Sequence, residues 1–464
     1  MKQADGAHLS TGRNLKIALF HLGSGMVDVL ATGVWNRIMV ADLGYSAAFV
    51  GLLTGLRYFL APLGVLAGRF SDTHTIGGYR RLFWIWLGRA MMAVSTVTLG
   101  FATAELVGRA QAGATGSIHW ALLLALVMSF LLFSLGNALS GATFLALIHD
   151  RAAEHQRGRA VGLVWTFLLL GFAAGGVFFS LMLPTSTGGG AIGFSAQSVL
   201  NLFVVTAGVL TLLWFFSLLG EERRNAQTDA TAAAERPSFR SDLALAWQSR
   251  RMRFFLVYLT LSMLFAFLQD TVLEPFAGQL FGMEAHITNR FSAYWGSMAI
   301  VGSFVVLYFS GRHPLFTHRN LARAGVIVLL LAYAVFAMSA LGVARQLVTP
   351  GLVLLGVGLG IWNIGTLGLM MQLSPTGRAG TFLGFWTLSV TLSRGLGVAG
   401  GGIVRDLALI VSGEHAIAYG AVFCCGFAGL LIAYLALRQV KQADQASALR
   451  TDADLAKALS HSME

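Results

Sequence analysis

Six ionisable residues sit where charge is costly. Asp28, Arg37, Arg57, Asp270, Glu274 and Arg394 all fall inside long apolar stretches of the chain. A charged side chain at the centre of a bilayer costs roughly 2.5–3.5 kcal/mol on insertion scales, so an unpaired set would be strongly disfavoured. The tally is three acids to three bases. Counted from the ends of their runs, Asp28, Arg57, Asp270 and Arg394 share mid-depth, with Arg37 and Glu274 further out. Such a set is expected to pair around one central cavity. Asp270 and Glu274 lie four apart, on one face of a helix. Pro275 follows directly, and proline kinks a span by freeing a carbonyl one turn back. Asp28, Thr32, Trp35 and Asn36 recur at helical spacing and form a second polar stripe. The chemistry open to these groups is binding of a substrate or a proton in the cavity. Static pairs that lock helices together would use the same residue types.

The elements that must carry them are membrane spans. Hydrophobic residues make up 56% of the 464, charged residues only 11%, and mean hydropathy is +0.70. Soluble domains of ordinary composition carry roughly 25% charged residues. Runs long enough to cross a hydrocarbon core about 30 Å thick fall near 15–40, 46–70, 82–104, 118–148, 158–183 and 196–219. A second set falls near 253–280, 291–311, 321–341, 347–373, 379–403 and 415–438. The expected fold is therefore an all-α membrane protein of twelve transmembrane helices in two six-helix halves. The first run is too long for a signal-peptide core, and is expected to stay as the first span.

Charge in the loops sets the orientation. Of the 32 Lys and Arg, Arg37, Arg57, Arg89 and Arg394 lie within runs, and Arg109, Arg290, Arg345 and Arg405 lie on the side away from the N-terminus; the remaining 24 share the N-terminal side. The positive-inside rule then places both termini in the cytoplasm. The net charge of +11 is spread over these short loops and forms no basic domain, which argues against nucleic acid. The chain divides into an N-terminal half (1–219), a linker (220–252), a C-terminal half (253–438) and a polar cytoplasmic tail (439–464). Within the linker, Ser241-Asp242 before Leu243, Leu245 and Trp247, followed by Arg250, Arg251 and Arg253, suits an amphipathic helix on the anionic leaflet; a solvated linker suits it equally. Cys424 and Cys425 are adjacent in an apolar run and are expected to be inert buried thiols. No nucleotide-binding loop, metal cluster or nucleophile constellation occurs in the sequence, so no enzyme activity is expected.

Two internal signals favour a duplicated fold. Gly162-Leu163-Val164-Trp165-Thr166 echoes Gly384-Phe385-Trp386-Thr387 about half a chain later. Both of these runs also end in glycines, Gly171, Gly175 and Gly176 against Gly397, Gly400, Gly401 and Gly402. The loop after the second run reads Gly68-Arg69-Phe70-Ser71-Asp72, then Gly77-Gly78-Tyr79-Arg80-Arg81. One acid and a basic pair in a short glycine-bearing turn can clamp neighbouring helix ends. This loop resembles the signature of the major facilitator superfamily, in which the loop acid helps bind the two halves together on the cytoplasmic side. The resemblance places Gly68, Asp72, Arg80 and Arg81 in a cytoplasmic clamp. The matching loop of the second half, Gly311-Arg312-His313-Pro314, lacks the acid. Gly171-Phe172-Ala173-Ala174-Gly175-Gly176 is similar to a glycine-proline pattern of some exchangers, with Phe172 where the proline would stand.

A narrower resemblance covers the whole chain. Phe20 to Met26, Gly33-Val34-Trp35-Asn36-Arg37-Ile38-Met39, Ser71-Asp72-Thr73-His74, Arg80-Arg81 and Gln269-Asp270-Thr271-Val272-Leu273-Glu274-Pro275-Phe276 resemble the PucC/LhaA group, the bacteriochlorophyll-delivery branch of the superfamily. The opening residues depart from PucC and LhaA themselves, which points to a sister member. The resemblance implies a light-harvesting complex assembly factor that binds or delivers bacteriochlorophyll to antenna polypeptides in the bacterial inner (intracytoplasmic photosynthetic) membrane. It implies no covalent cofactor, with bacteriochlorophyll as bound cargo. A tetrapyrrole needs an apolar slot and an axial ligand for its magnesium, often a neutral imidazole. His21 in the first run and His149 at the end of the fourth are the candidates, with His119 nearer the outer edge. Two alternatives stay open: a proton-coupled small-solute transporter, with Asp270 or Glu274 carrying the proton, and a non-transporting chaperone for antenna helices. Asp28, Asn36, Arg37, Arg57, Asp270, Glu274 and Arg394 are the expected cavity residues.

Overall fold

With no water in the hydrocarbon to satisfy backbone groups, a spanning segment must close its own hydrogen bonds, and these apolar runs do so as helices. In the computed structural model the described residues are 9–113, 120–153, 156–183, 193–222, 250–309, 316–373 and 379–461. Among them, eleven helices are long and apolar enough to cross a membrane. The proposed amphipathic helix of the linker and His119 lie outside the described residues.

The first half carries α1 (Thr11–Val29), α2 (Ala47–Phe59), α3 (Pro62–Thr73), α4 (Leu82–Gln111), α5 (Trp120–Arg151), α6 (Arg157–Met182) and α7 (Ala196–Leu218). Helix α1 continues to Asp42 through wider π-helical turns at Leu30–Trp35 and Ile38–Asp42. Helices α2 and α3 make one crossing, with Pro62 at the first position of α3, where its missing N–H costs nothing. The second half carries α8 (Arg250–Ala266), α9 (Leu273–Phe281), α10 (Ala285–Thr288), α11 (Phe291–Phe309), α12 (His318–Leu341), α13 (Val348–Leu373), α14 (Ala379–Ser412) and α15 (His415–His461). The last of these runs without interruption from the final span into the tail.

The run expected at 253–280 makes its crossing in two pieces, α8 and α9. Between them Phe267–Val272 forms hydrogen-bonded turns, Asp270 N–H to Phe267 O and Val272 N–H to Gln269 O. Irregular backbone at this depth is tolerated only when protein surrounds it; Gln269 and Thr271 are buried here. The expected proline kink is corrected by this geometry. The break precedes Pro275, which sits in the first turn of α9, where backbone N–H groups lack helical partners in any case.

Glycine spacing decides how the helices meet. A side-chain carbon on Gly171 of α6 would lie 2.3 Å from Leu22 O of α1, and one on Gly176 would lie 2.6 Å from Ala293 N of α11. In the second half the pattern repeats. A carbon on Gly401 of α14 would lie 1.9 Å from Leu268 O, and one on Gly402 would lie 2.0 Å from Ala47 O of α2. Each of these helices therefore packs backbone to backbone on the first crossing of its own half and on a helix of the other half. Two such contacts, α6 with α11 and α14 with α2, join the halves. The apolar cores segregate accordingly: one spans Met252 to Val440, another Leu9 to Leu218, and a third Val29 to Phe203 with Ala285 added.

One group of polar contacts across the halves lies at the end remote from the chain start. Asp406 accepts from Ser46 Oγ (2.6 Å) and Ala48 N–H (2.8 Å). Arg37 donates to Met283 O (3.0 Å), Gln279 to Val40 O (2.8 Å), and Arg290 to Ser180 Oγ (2.8 Å). Arg290 and Arg405, which the sequence placed in loops, are thus drawn into the structure; Arg405 is buried and donates to Gln279 and Asp406. Cys424 is exposed and Cys425 half-buried, so the expectation of two buried thiols is corrected.

Candidate functional site

Where α1 widens and the α8–α9 crossing breaks, their polar residues face each other. Arg57 of α2 pairs with Asp28 Oδ1. Arg394 of α14 reaches Asp28 Oδ2 and Asp270 Oδ2, both at 3.2 Å. Asp28 and Arg57 come from the first half, Asp270 and Arg394 from the second, so this network bridges the halves. Both guanidinium groups also lie against aromatic rings: Arg57 over Tyr58 at 4.7 Å, Arg394 over Phe267 at 4.2 Å and over Tyr58 at 5.0 Å. In a site of low dielectric such contacts, added to ion pairs, offset part of the desolvation of a cation.

Asn36 closes the gap between the two irregular segments. Its Nδ2 donates to the carbonyls of Asp270 and Thr271, each at 3.1 Å. Those carbonyls are available because the helix is broken there. Thr271 in turn donates to Val398 O at 2.6 Å. Glu274 is 4% exposed and makes no ion pair among the described residues. Its Oε1 lies near Gly33 in the first π-helical stretch. Asp270 and Glu274 do not share one helical face, since the first lies in the turn and the second in α9. Both nevertheless border one small cavity of about 10 Å³, the scale of a single water. Asp28, Thr32, Gln269 and Arg394 line it too, with Phe172, Ser292 and Trp295.

Not every expected cavity residue is there. Arg37 pairs with Asp42 (2.7 Å) and Met283 O nearer the remote end, outside that cavity. Trp35 turns into the first half, where it donates to Thr103 Oγ1 at 3.1 Å and packs on Phe130. The π-helical turns shift these positions off the stripe that regular helical spacing implies. Sequence reasoning missed Tyr58, Trp295 and Ser292. Trp295 meets Phe172 across the halves at 5.1 Å, a pairing for which the sequence carries no periodic signal.

The contacts described for Arg80 and Arg81 lie within the first half. Arg80 and Arg81 N–H and Leu82 N–H donate to the Glu222 carboxylate at 2.8–3.2 Å. The Arg80 and Arg81 side chains pair with Asp150 at 2.6 and 3.3 Å. Arg81 also donates to Ser71 Oγ and Gly68 O. These partners sit at the ends of α3, α5 and α7, all in the first half, so the contacts described here do not bind the halves together. The side chain of Asp72 lies outside the described residues. Glu221 adds pairs with Arg13 (3.0 Å) and Lys16 (3.4 Å).

The two candidate pigment ligands differ. His149 is exposed in the last turn of α5, beside Asp150 and Arg151. His21 is half-buried in α1. Its ring stacks on Phe144 at 5.0 Å and meets Trp165 edge-on at 6.0 Å, and Nδ1 has no hydrogen-bond partner among the described residues. Trp165 is exposed, at 45%. Behind His21, Arg89 is buried between Phe20 (4.1 Å) and Trp214 (4.7 Å).

Comparison with known proteins adds lineage to this geometry. The family described as PUCC protein matches residues 34–445. A relative named Protein PucC from Rhodovulum sulfidophilum is 29% identical over 408 residues, covering 87% of each chain. Another from Rhodobacter capsulatus, named Bacteriochlorophyll synthase 44.5 kDa chain, is 28% identical over 417 residues, 88% of this chain and 90% of its own. Among solved structures, an inward-facing bacterial homologue of the human lysosomal transporter Spinster superposes with a TM-score of 0.68 at 14% identity, over 94% of this chain and 99% of that one. The fold is that of the major facilitator superfamily.

Proposed function

This chain belongs to the PucC family, a family of multi-pass membrane proteins of photosynthetic bacteria, and on that premise we propose that it promotes light-harvesting complex assembly by binding bacteriochlorophyll and delivering it to antenna polypeptides. The observation that carries this reading is the family match across both halves, joined by a relative whose name refers to bacteriochlorophyll. His21 supports it. A magnesium centre takes hard, neutral nitrogen or oxygen donors, and His21 places a half-buried imidazole against Phe144 and the exposed Trp165, its unpartnered Nδ1 being enclosed by the protein. The proposed location is the intracytoplasmic photosynthetic membrane, with both termini cytoplasmic, an orientation that the loop charges support. The partners are the bilayer, the pigment and antenna polypeptides, and the protein acts without enzymatic turnover.

The test is the absorption spectrum of protein purified in mild detergent from pigmented cells. A near-infrared bacteriochlorophyll band that survives washing is expected, and His21→Leu should lower it several-fold with unchanged protein yield. Colourless wild-type protein that still captures antenna polypeptides supports the non-transporting chaperone instead.

A second reading rests on the charge network. Asp28, Arg57, Asp270 and Arg394 bridge the halves, and buried carboxylates between moving halves serve as proton carriers in transporters. Solute uptake that collapses with the proton gradient would favour this reading over pigment delivery.

A further inference from the structure

Of the arginines within apolar runs, Arg37 pairs with Asp42, and Arg57 and Arg394 pair with Asp28. Arg89 of α4 meets no carboxylate among the described residues. It is 4% exposed, its Nη1 donates to Met92 Sδ at 3.3 Å, and its Nε has no hydrogen-bond partner among the described residues. A charge buried in a span without a counter-charge is expensive, and the default reading of such a residue is functional. Aromatic rings take the place of the acid. The guanidinium carbon lies over Phe20 at 4.1 Å and over Trp214 of α7 at 4.7 Å, contacts that offset part of its desolvation. Gly23 seats the indole, since a side-chain carbon there would lie 2.8 Å from Trp214 Nε1. From Phe20 the stack continues. Phe20 lies on Phe144 of α5 at 3.8 Å and 14°, Phe144 lies on His21 at 5.0 Å and 27°, and the exposed Trp165 of α6 meets His21 edge-on.

An imidazole that coordinates a metal is normally oriented by a hydrogen bond from its second ring nitrogen to a carboxylate or carbonyl. His21 has no such bond among the described residues, and its Nδ1 is enclosed without a partner. Ring contacts fix its orientation instead. We propose that Arg89 is a positioning residue for His21, holding the imidazole in place through Phe20 and Phe144. A planar guanidinium suits this task better than an ammonium, because it stacks on ring faces. That the guest at His21 is bacteriochlorophyll rests on the reading above; the orientation of the ring does not. The stack belongs to the first half alone and is separate from the charge network that bridges the halves.

Full-length protein in detergent provides the test, first from cells that make no pigment. Diethyl pyrocarbonate modifies neutral, accessible imidazole nitrogens, and mass spectrometry reads the rate at each histidine. In Arg89→Met the rate at His21 should rise several-fold, because the ring is freed and Nδ1 is uncovered, while the exposed His149 should keep its wild-type rate. Phe20→Leu, which cuts the stack and leaves the arginine in place, should do the same. Equal His21 rates in wild type and both variants, or a rise of the same size at His149, would overturn the positioning role. Protein from pigmented cells then separates this role from the pigment reading. Circular dichroism of the near-infrared band, per pigment bound, reports how the macrocycle is held and does not follow from stability alone. A several-fold loss of that signal in both variants supports positioning of the pigment itself. Colourless wild type, with the His21 rate still raised in the variants, removes the pigment reading and leaves the positioning role intact. An unchanged signal despite the raised rate places the pigment away from His21 and overturns its positioning by Arg89.

Discussion

Arg394 holds two carboxylates from opposite halves at one distance, and that sharing makes its removal costly. Breaking a buried pair by deleting one partner costs about 3–5 kcal/mol, because the other charge is left uncompensated. Arg394→Met should therefore lower the melting temperature in detergent, and adding Asp270→Asn, which removes the carboxylate left unpaired while Asp28 keeps Arg57, should recover part of the loss. If the double variant melts no higher than the single one, the uncompensated Asp270 is not the source of the cost. Glu274 differs, because it lies beside the network without an ion pair among the described residues. Glu274→Gln keeps its shape and should leave the pigment band of the purified protein unchanged; a lost band would tie pigment binding to the inter-half charges. At this scale the sequence was informative. Charge in an apolar run is expensive enough that Asp28, Arg57, Asp270 and Arg394 could be paired from composition and depth alone. Tyr58, Ser292 and Trp295 could not, since polar and aromatic residues are common in spans for other reasons.

The helices show where periodicity stops being a guide. Twelve runs could be counted because hydrophobic length is a one-dimensional property. Regularity is a three-dimensional one. The π-helical turns after Val29 and the break at Phe267–Val272 depend on partners in the other half, such as Asn36 on the Asp270 and Thr271 carbonyls. Those partners decided which stripe residues reach the cavity and sent Trp35 elsewhere. The acids that Arg80 and Arg81 meet, Asp150 and Glu222, come from distant helix ends, and no local motif announces them. Glycines were legible as a repeat but not as contacts. Their contacts now make a graded prediction. Gly402→Val places new atoms against the Ala47 carbonyl and should markedly lower the melting temperature, whereas at Gly400, where a side-chain carbon would lie 3.6 Å from Leu268, alanine should be tolerated. Equal melting of the two variants would show that α14 and α2 can separate freely.

Over the whole molecule, the polar ties between the halves among the described residues lie at mid-depth and at the end remote from the chain start. With Cys424 and Cys425 changed to serine, Ser46→Cys and Asp406→Cys joined by a short bis-thiol reagent would fix that end shut. Antenna assembly should persist in cells carrying the linked form; its loss would show that the halves must part, and would favour the alternating transporter. The chamber between the halves has room for about one water, whereas His21 stands beside an exposed tryptophan near the outer wall. If the proposed pigment is carried on that wall, it would stay in the plane of the leaflet from pick-up to release, and handover would be a two-dimensional encounter whose rate follows the surface density of acceptor helices and not the opening of a gate.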